Sequence, residues 1–375
     1  MDITALKSSW ATVVDSGDEV PLFFYSHLFL TRPDLRQLFP IAMSAQRDKL
    51  VSALGSVIAN LDEMDNAVPL LQQLGRDHRR FNVDPEHYDA VGASLLATLQ
   101  HFLGSSWTKE LAESWTTAYG IVAKTMVQAA EQDAQHSPAW WNANVVRVER
   151  RTFDMVVLQL RPEQPYPFRP GQSFAMEVPQ RPRLWRYYSP ANAPRQDGTI
   201  ELHVQAVDGG QVSTAVVRSL RVGDTVRIGS PVGDALVRDA AASDELLLVA
   251  GGTGLAPLRA VLEQLDRAYR SGQEVPATYL FHGARMPWGL YEGNTLRALA
   301  ERPWFSYAEV VSDDETYPGQ RGLVGEIAAR SGLWKGRTSL VCGSASMVNH
   351  TVACLREAGA DPVRHEKFAG TEGLE

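Results

Sequence analysis

The stretch LLLVAGGTGLAPLRAVL (residues 246–262) decides how the C-terminal part of this chain folds. Five apolar residues lead into a glycine cluster and then into a run with helical spacing, which reads as strand, turn and helix. Gly251, Gly252 and Gly254 let the backbone approach a phosphate closely. Pro257 suits the first helical turn, and the helix N-terminus favours an anion. The spacing is not G-x-G-x-x-G, and a plain tight turn would carry the same residues. Downstream, ATYLFHGA (277–284), FSYAEVV (305–311) and TSLVCG (338–343) are short apolar runs separated by helix-like segments. Strand–helix alternation predicts a parallel sheet with helices on both faces.

Two other textures precede it. Residues 1 to about 136 read as helix. Leu111, Trp115, Ala118, Tyr119, Val122 and Met126 form one stripe, and Leu22, Tyr25, Leu28 and Phe29 another. Asp84-Pro85-Glu86 reads as a helix start, which leaves His87 a solvated residue in a first turn. From Val145 the runs become short and β-rich, as in FRPGQSFAMEV (168–178), GTIELHVQAV (198–207) and GDTVRIGSPVG (223–233). They predict an antiparallel barrel. The expected architecture is therefore an all-α domain (1–136), an antiparallel β-barrel domain (137–240) and an α/β parallel-sheet domain (241–375).

Composition fits such a chain. It has 375 residues, 44% hydrophobic and 21% charged, with a net charge of −8. That balance argues against a nucleic-acid surface. Two cysteines, Cys342 and Cys354, argue for a reducing compartment and against thiolate metal sites. No signal peptide and no membrane span are expected, so the cytoplasm is the expected location and a monomer the expected state.

LGRDHRRFNVDPEHY (74–88) places His78 at the end of the stripe Leu71, Leu74. Its ring either caps a solvated helix end or reaches inward to hold something. Tyr25 and Gln46 interrupt or head other apolar stripes and would offer hydrogen bonds to a ligand. In the barrel zone, RLWRYYSP (183–190) alternates Arg186, Tyr188 and Ser189. An aromatic ring can cover a planar cofactor, a hydroxyl can bond it, and Arg can grip a phosphate. GGQVS (209–213) offers small residues and backbone N–H groups.

FRPGQ, RYYS, GGQVS, GGTGLAP and CGS occur in an order that resembles the ferredoxin reductase family, over about residues 142–370. The resemblance implies an FAD-binding barrel and an NAD(P)-binding sheet. It makes Arg186, Tyr188 and Ser189 flavin ligands and Gly210, Gln211, Val212 and Ser213 the pyrophosphate turn. Gly252, Thr253 and Gly254 would receive NADH or NADPH, with Cys342 and Gly343 near the nicotinamide. Ser344 stands where the family has proline. Phe368 would lie over the flavin with Glu366 nearby. Arg285, after the second strand, would meet a 2′-phosphate, adenine or ribose; the reading leans to NADH.

The helical part is similar to the globin domain of bacterial flavohemoglobins, through FFYSHLFLTRPDLRQLFP (23–40), QRDKL (46–50), HRRFNVDPEHYDAVGASLLATL (78–99) and ESWTTAYGIVA (113–123). That family converts nitric oxide and O2 to nitrate at the expense of NAD(P)H. The resemblance implies heme b, with His78 as iron ligand and Tyr25 and Gln46 as the distal pair. Leu50 would be the bulky distal residue, Phe39 the ring packed on heme, and Tyr88 the residue that orients the imidazole. The family's proximal glutamate falls on Ala130, one residue and about 100° of helix away from Glu131. Asp77 replaces a lysine. Other readings of the same scaffold are a heme–flavin oxidoreductase acting on peroxides or a hydroxy acid such as lactate, an O2-binding globin with built-in reductase, and a flavin reductase with a heme-free helical domain.

Overall fold

The computed structural model describes residues 1–238, 245–332, 334 and 336–368, with the backbone alone for residues 64–66. The chain divides into two compact units, the first ending at Trp140 and the second beginning at Trp141. The expected boundary near residue 240 lies outside the described residues.

The first unit is helical: α1 (Ile3–Val14), α2 (Glu19–Thr31), α3 (Ser44–Ala59), α4 (Met64–His78), α5 (Pro85–Leu103) and α6 (Lys109–Ala134). Its core gathers Leu6, Phe24, Tyr25, Leu28, Leu99 and Trp115. Gly75 lets α4 lie directly on α6, because a Cβ there would collide with the Met126 carbonyl. The α2 stripe differs from the sequence expectation. Val20, Pro21, Phe24, Tyr25 and Leu28 face inward, while Leu22 is 45% exposed. His87 also differs. Its Nδ1 accepts the Asp84 N–H at 3.0 Å, so the ring caps α5 instead of being solvated.

The second unit opens with β1 (Trp141–Thr152), β2 (Met155–Pro162), β3 (Phe174–Glu177), β4 (Trp185–Tyr188), β5 (Ile200–Gln205), α7 (Gln211–Ser219) and β6 (Thr225–Ile228). The strands form an antiparallel sheet in the order β4-β3-β6-β1-β2-β5. Its two edges meet just beyond β4, where Pro190 bridges Leu202 and the Ala191 N–H donates to the Glu201 carbonyl at 2.7 Å. That bridge brings the edge strands together as a barrel requires.

The remainder is β7 (Leu246–Gly251), α8 (Leu255–Arg270), β8 (Thr278–Ala284), α9 (Gly293–Leu299), β9 (Phe305–Val311), β10 (Gln320–Arg321), α10 (Val324–Arg330), β11 (Thr338–Ser344), α11 (Ala345–Glu357) and β12 (Val363–Phe368). The sheet order is β10-β9-β8-β7-β11-β12, and every pairing in it is parallel. The chain winds outward from β7 to β10, then returns to add β11 on the other side. The C-terminal ends of β7 and β11 thus form a topological switch point, where such sheets bind ligands. Among the described residues no helix is long and apolar enough to cross a membrane.

Candidate functional site

In the helical unit, α4 ends on His78. Its Nδ1 lies 2.6 Å from the carbonyl of Leu74, one turn back. A carbonyl only accepts, so Nδ1 carries the hydrogen and Nε2 keeps its lone pair. Burial lowers the ring's pKa, which keeps it neutral and able to ligate a metal. Here the Leu74 carbonyl is what His78 Nδ1 bonds. Tyr88 packs beside Leu74, Leu71, Val122 and Met126, and burial pushes its phenol up to about 12. Glu131 is exposed, so it does not stand in for the family's proximal carboxylate. Of the nearby arginines, Arg79 is taken up by Asp133 and the Ser137 carbonyl, and Arg80 pairs with Asp77 at 3.4 Å.

Tyr25 is 6% exposed on α2, and its hydroxyl donates to the Gln46 carbonyl on α3 at 3.3 Å. Burial pushes its pKa to about 12 against a smaller opposing pull from the Gln46 side chain. Phe39 stands edge-on to Tyr25, ring centroids 5.5 Å apart. The structure therefore brings Tyr25, Gln46 and Phe39 together. Leu50 lies on α3, packed on the same core. Phe39, Met43, Leu50, Leu54, Leu74 and Val122 pack on buried clusters yet keep part of their apolar surface uncovered. A neutral imidazole with a free lone pair and such partly covered apolar side chains fit heme.

In the second unit, Arg186 and Tyr188 share one face of β4, in register with Met176 and Phe174 of β3. Ser189 follows and is buried. Burial lowers the Arg186 pKa and raises that of Tyr188. Gly210, Gln211, Val212 and Ser213 open α7, so the expected turn is a helix N-terminus. Among the described residues no side chain caps it, which leaves its N–H groups available to an anion. A Cβ at Gly210 would collide with Ser213 and Val207.

Gly252 to Gly254 form a single 3-10 turn between β7 and α8, with Gly252 at φ +52°. A Cβ on Gly254 would overlap the Cys342 carbonyl, so only glycine lets this turn meet the end of β11. Thr253, Cys342 and Gly343 are thereby grouped at the switch point. Cys342 pairs in register with Glu366, and Ser344 with Phe368. Burial, and then the nearby Glu366, keep Cys342 a thiol. Burial also raises Glu366, whose carboxyl is bonded by Ser173 of the barrel. Arg285 stands at the exposed end of β8, 2.9 Å from Asp313 beyond β9. These groups fit FAD and a nicotinamide dinucleotide: a phosphate-ready helix start, a glycine turn and partly buried aromatic rings.

Sequence reasoning missed a buried polar cluster in this unit, built on Glu201, His203, Arg259, His282, Tyr291 and Glu292. Strand GTIELHVQAV alternates polar and apolar residues, the pattern of a strand with one face in water. Nothing local says that the polar face is covered.

Comparison with known proteins agrees with this geometry. The sequence matches the Globin family over residues 22–126, the Oxidoreductase FAD-binding domain over 144–236 and the Oxidoreductase NAD-binding domain over 248–353. A flavohemoprotein of Bacillus subtilis is 28% identical, with 70% of this chain and 68% of that protein covered. One of Rhodopirellula baltica is 25% identical over 99% of this chain and 98% of its own. Among solved structures, a Malassezia yamatoensis flavohemoglobin with bound FAD and heme superposes with a TM-score of 0.76 at 19% identity, covering 98% of both chains. The FAD/NAD-binding domain of a Vibrio cholerae nitric oxide dioxygenase gives 0.53 at 19% identity, over 61% of this chain and 99% of that one. Fold and site define a globin joined to an FAD- and NAD-binding reductase. The chain combines a Globin domain with Oxidoreductase FAD-binding and NAD-binding domains, and it is similar over its whole length to flavohemoproteins.

Proposed function

We propose that the protein is a nitric oxide dioxygenase that turns NO and O2 into nitrate with electrons from NADH or NADPH, through FAD and heme b. The observation that carries it is the joining, in one chain, of His78 and a Tyr25–Gln46 pair, Tyr25 itself buried, to a reductase with two cofactor cradles. When bound, the nicotinamide would supply hydride, the flavin would convert it to single electrons, and heme would supply an iron centre for O2 and NO chemistry. His78 offers Nε2, with its ring fixed by the Leu74 carbonyl. Tyr25 stays protonated at every physiological pH and can donate to a ligand oxygen once it turns from the Gln46 carbonyl. Arg186, Tyr188, Ser189 and the α7 N-terminus hold the flavin; Gly252, Thr253 and Gly254 receive the dinucleotide.

The test is to supply the purified protein with NADH, O2 and NO and to follow NO and nitrate together. One nitrate per NO consumed supports the reading; NO loss without nitrate sinks it. A second reading, a heme–flavin oxidoreductase for peroxides or a small hydroxy acid, draws on the proximal side. Among the described residues no carboxylate bonds the His78 ring, so the push on iron is weaker than a carboxylate would give. Turnover with those substrates but not with NO would favour it.

A further inference from the structure

Ile200, Leu202 and Val204 fill the barrel core, so Glu201 and His203 point from the other face of β5. They are nonetheless buried, 7% and 5% exposed, against Arg259 of α8 and Tyr291 and Glu292, which precede α9. Charges survive burial only when paired and bonded. Arg259 meets this need on both sides, 2.8 Å from Glu201 and 3.4 Å from Glu292, which also takes Arg151 at 3.1 Å. His203 is 3.3 Å from Glu201 through Nε2 and 2.9 Å from the Tyr291 hydroxyl through Nδ1.

The cluster has two ends. At one, Arg259 donates to the Ala191 carbonyl at 2.7 Å, two residues past Ser189. At the other, the Tyr291 ring stands edge-on to both His203 and His282, at 5.2 and 5.9 Å. His282 is fully buried, and its Nε2–H donates to the Gly252 carbonyl at 3.1 Å. Among the described residues its Nδ1 has no partner, so that bond is the ring's one polar tie among them.

We propose that His282 is a positioning residue for hydride transfer, pinning the Gly252 carbonyl at the head of a buried network that ends on the flavin-side segment at Ala191. This rests on the reading of Gly252–Gly254 as the nicotinamide loop and of Arg186–Ser189 as flavin ligands. Hydride transfer needs the reacting atoms about 3–3.5 Å apart, and a displacement of about 1 Å can cost roughly a hundredfold. The two cradles belong to different layers, so what fixes their spacing is the material buried between them. Gly252 sits in a left-handed conformation at φ +52°, and His282 holds its carbonyl.

The experiment uses the full-length, FAD-loaded protein, mixed without oxygen with NADH or with 4-deuterated NADH while flavin bleaching is followed. His282→Leu removes the donor. His282→Gln keeps an N–H at similar reach, and His282→Asn keeps polarity but falls short. The limiting rate is expected to drop roughly 10- to 100-fold in His282→Leu and nearly as far in His282→Asn, with a larger isotope effect and unchanged FAD content. His282→Gln is expected to recover most of the rate. Should the leucine variant fail to hold FAD, the contrast between glutamine and asparagine decides. Wild-type rates and isotope effects in leucine and asparagine variants would overturn the proposal. A wild-type protein that neither NADH nor NADPH bleaches would overturn the reductase reading, and this proposal with it.

Discussion

The Nδ1 of His78 is bonded to the Leu74 carbonyl at 2.6 Å, which commits the ring's other nitrogen to any ligand the helical unit holds. Replacing His78 with glycine removes that nitrogen but leaves the Leu74 carbonyl in place. Heme content is expected to fall at least about tenfold, since even loss of a group that only orients a ligand costs that much. FAD content should not change. Added imidazole should restore the Soret band, because the small ring can bond Leu74 as His78 does. Undiminished heme in the glycine variant would remove His78 from the site.

Tyr25 can act on a bound oxygen ligand only as a hydrogen-bond donor, since burial raises its pKa to about 12. Tyr25→Phe keeps the ring and its packing on Phe39 but removes the donor. One hydrogen bond of about 1–1.5 kcal/mol corresponds to roughly a tenfold change. O2 dissociation from the reduced protein should therefore quicken about tenfold, and NO turnover at limiting O2 should fall by a similar factor. Flash photolysis and an NO electrode check the two. Equal O2 dissociation from both proteins would exclude the role.

The elements were legible where periodicity had only one solution. Strand, glycine turn and helix at 246–262 and the α6 stripe are of that kind. Helix α2 was not, because EVPLFFYSHLFLT is apolar around most of its circumference. Spacing alone could not say that Leu22 faces outward. The glycine cluster was readable as a turn, but its purpose lies in the approach to Cys342, 88 residues on from Gly254, which no local pattern encodes. His78 was visible as the end of a stripe. The carbonyl that orients it was not, since every helical residue has one four positions back. Glu201 and His203 looked like an ordinary wet strand face, and only tertiary packing makes them buried.

That packing has a pH signature. Burial holds His282 at about 4 against an ordinary 6.5. Between those values the unfolded chain binds a proton that the folded chain refuses, so stability falls as pH drops from about 6.5 to 4. This residue accounts for up to about 3 kcal/mol of that loss. His203, lowered chiefly by burial, adds in the same direction. Glu201 resists burial through His203, Arg259 and Arg195 and sits at about 2 against 4.5, so its contribution begins to fade only below pH 4.5. The temperature of flavin release should decline across pH 6.5 to 4, and less steeply in His282→Gln. A flat profile above pH 4.5 would contradict buried neutral histidines.

Arg285 and Asp313 bear on the choice of nicotinamide dinucleotide. Arg285 is 88% exposed in its side chain at the end of β8, and its guanidinium is bonded by Asp313. Ser312 and Arg285 both help hold the Asp313 carboxyl below its ordinary pKa, so it is ionised at neutral pH. A 2′-phosphate approaching Arg285 would meet this carboxylate, whereas a ribose hydroxyl could donate to it. NADH should therefore be preferred. Asp313→Asn removes the charge and frees Arg285 for phosphate, since an arginine fork matches phosphate oxygens closely. The ratio of kcat/KM for NADPH over NADH is expected to rise roughly tenfold, with most of the change in the KM for NADPH, as for an interaction that binds ground state and transition state alike. The effect should shrink at high ionic strength because both groups face solvent. A ratio that does not move would place the adenosine end of the dinucleotide away from this pair.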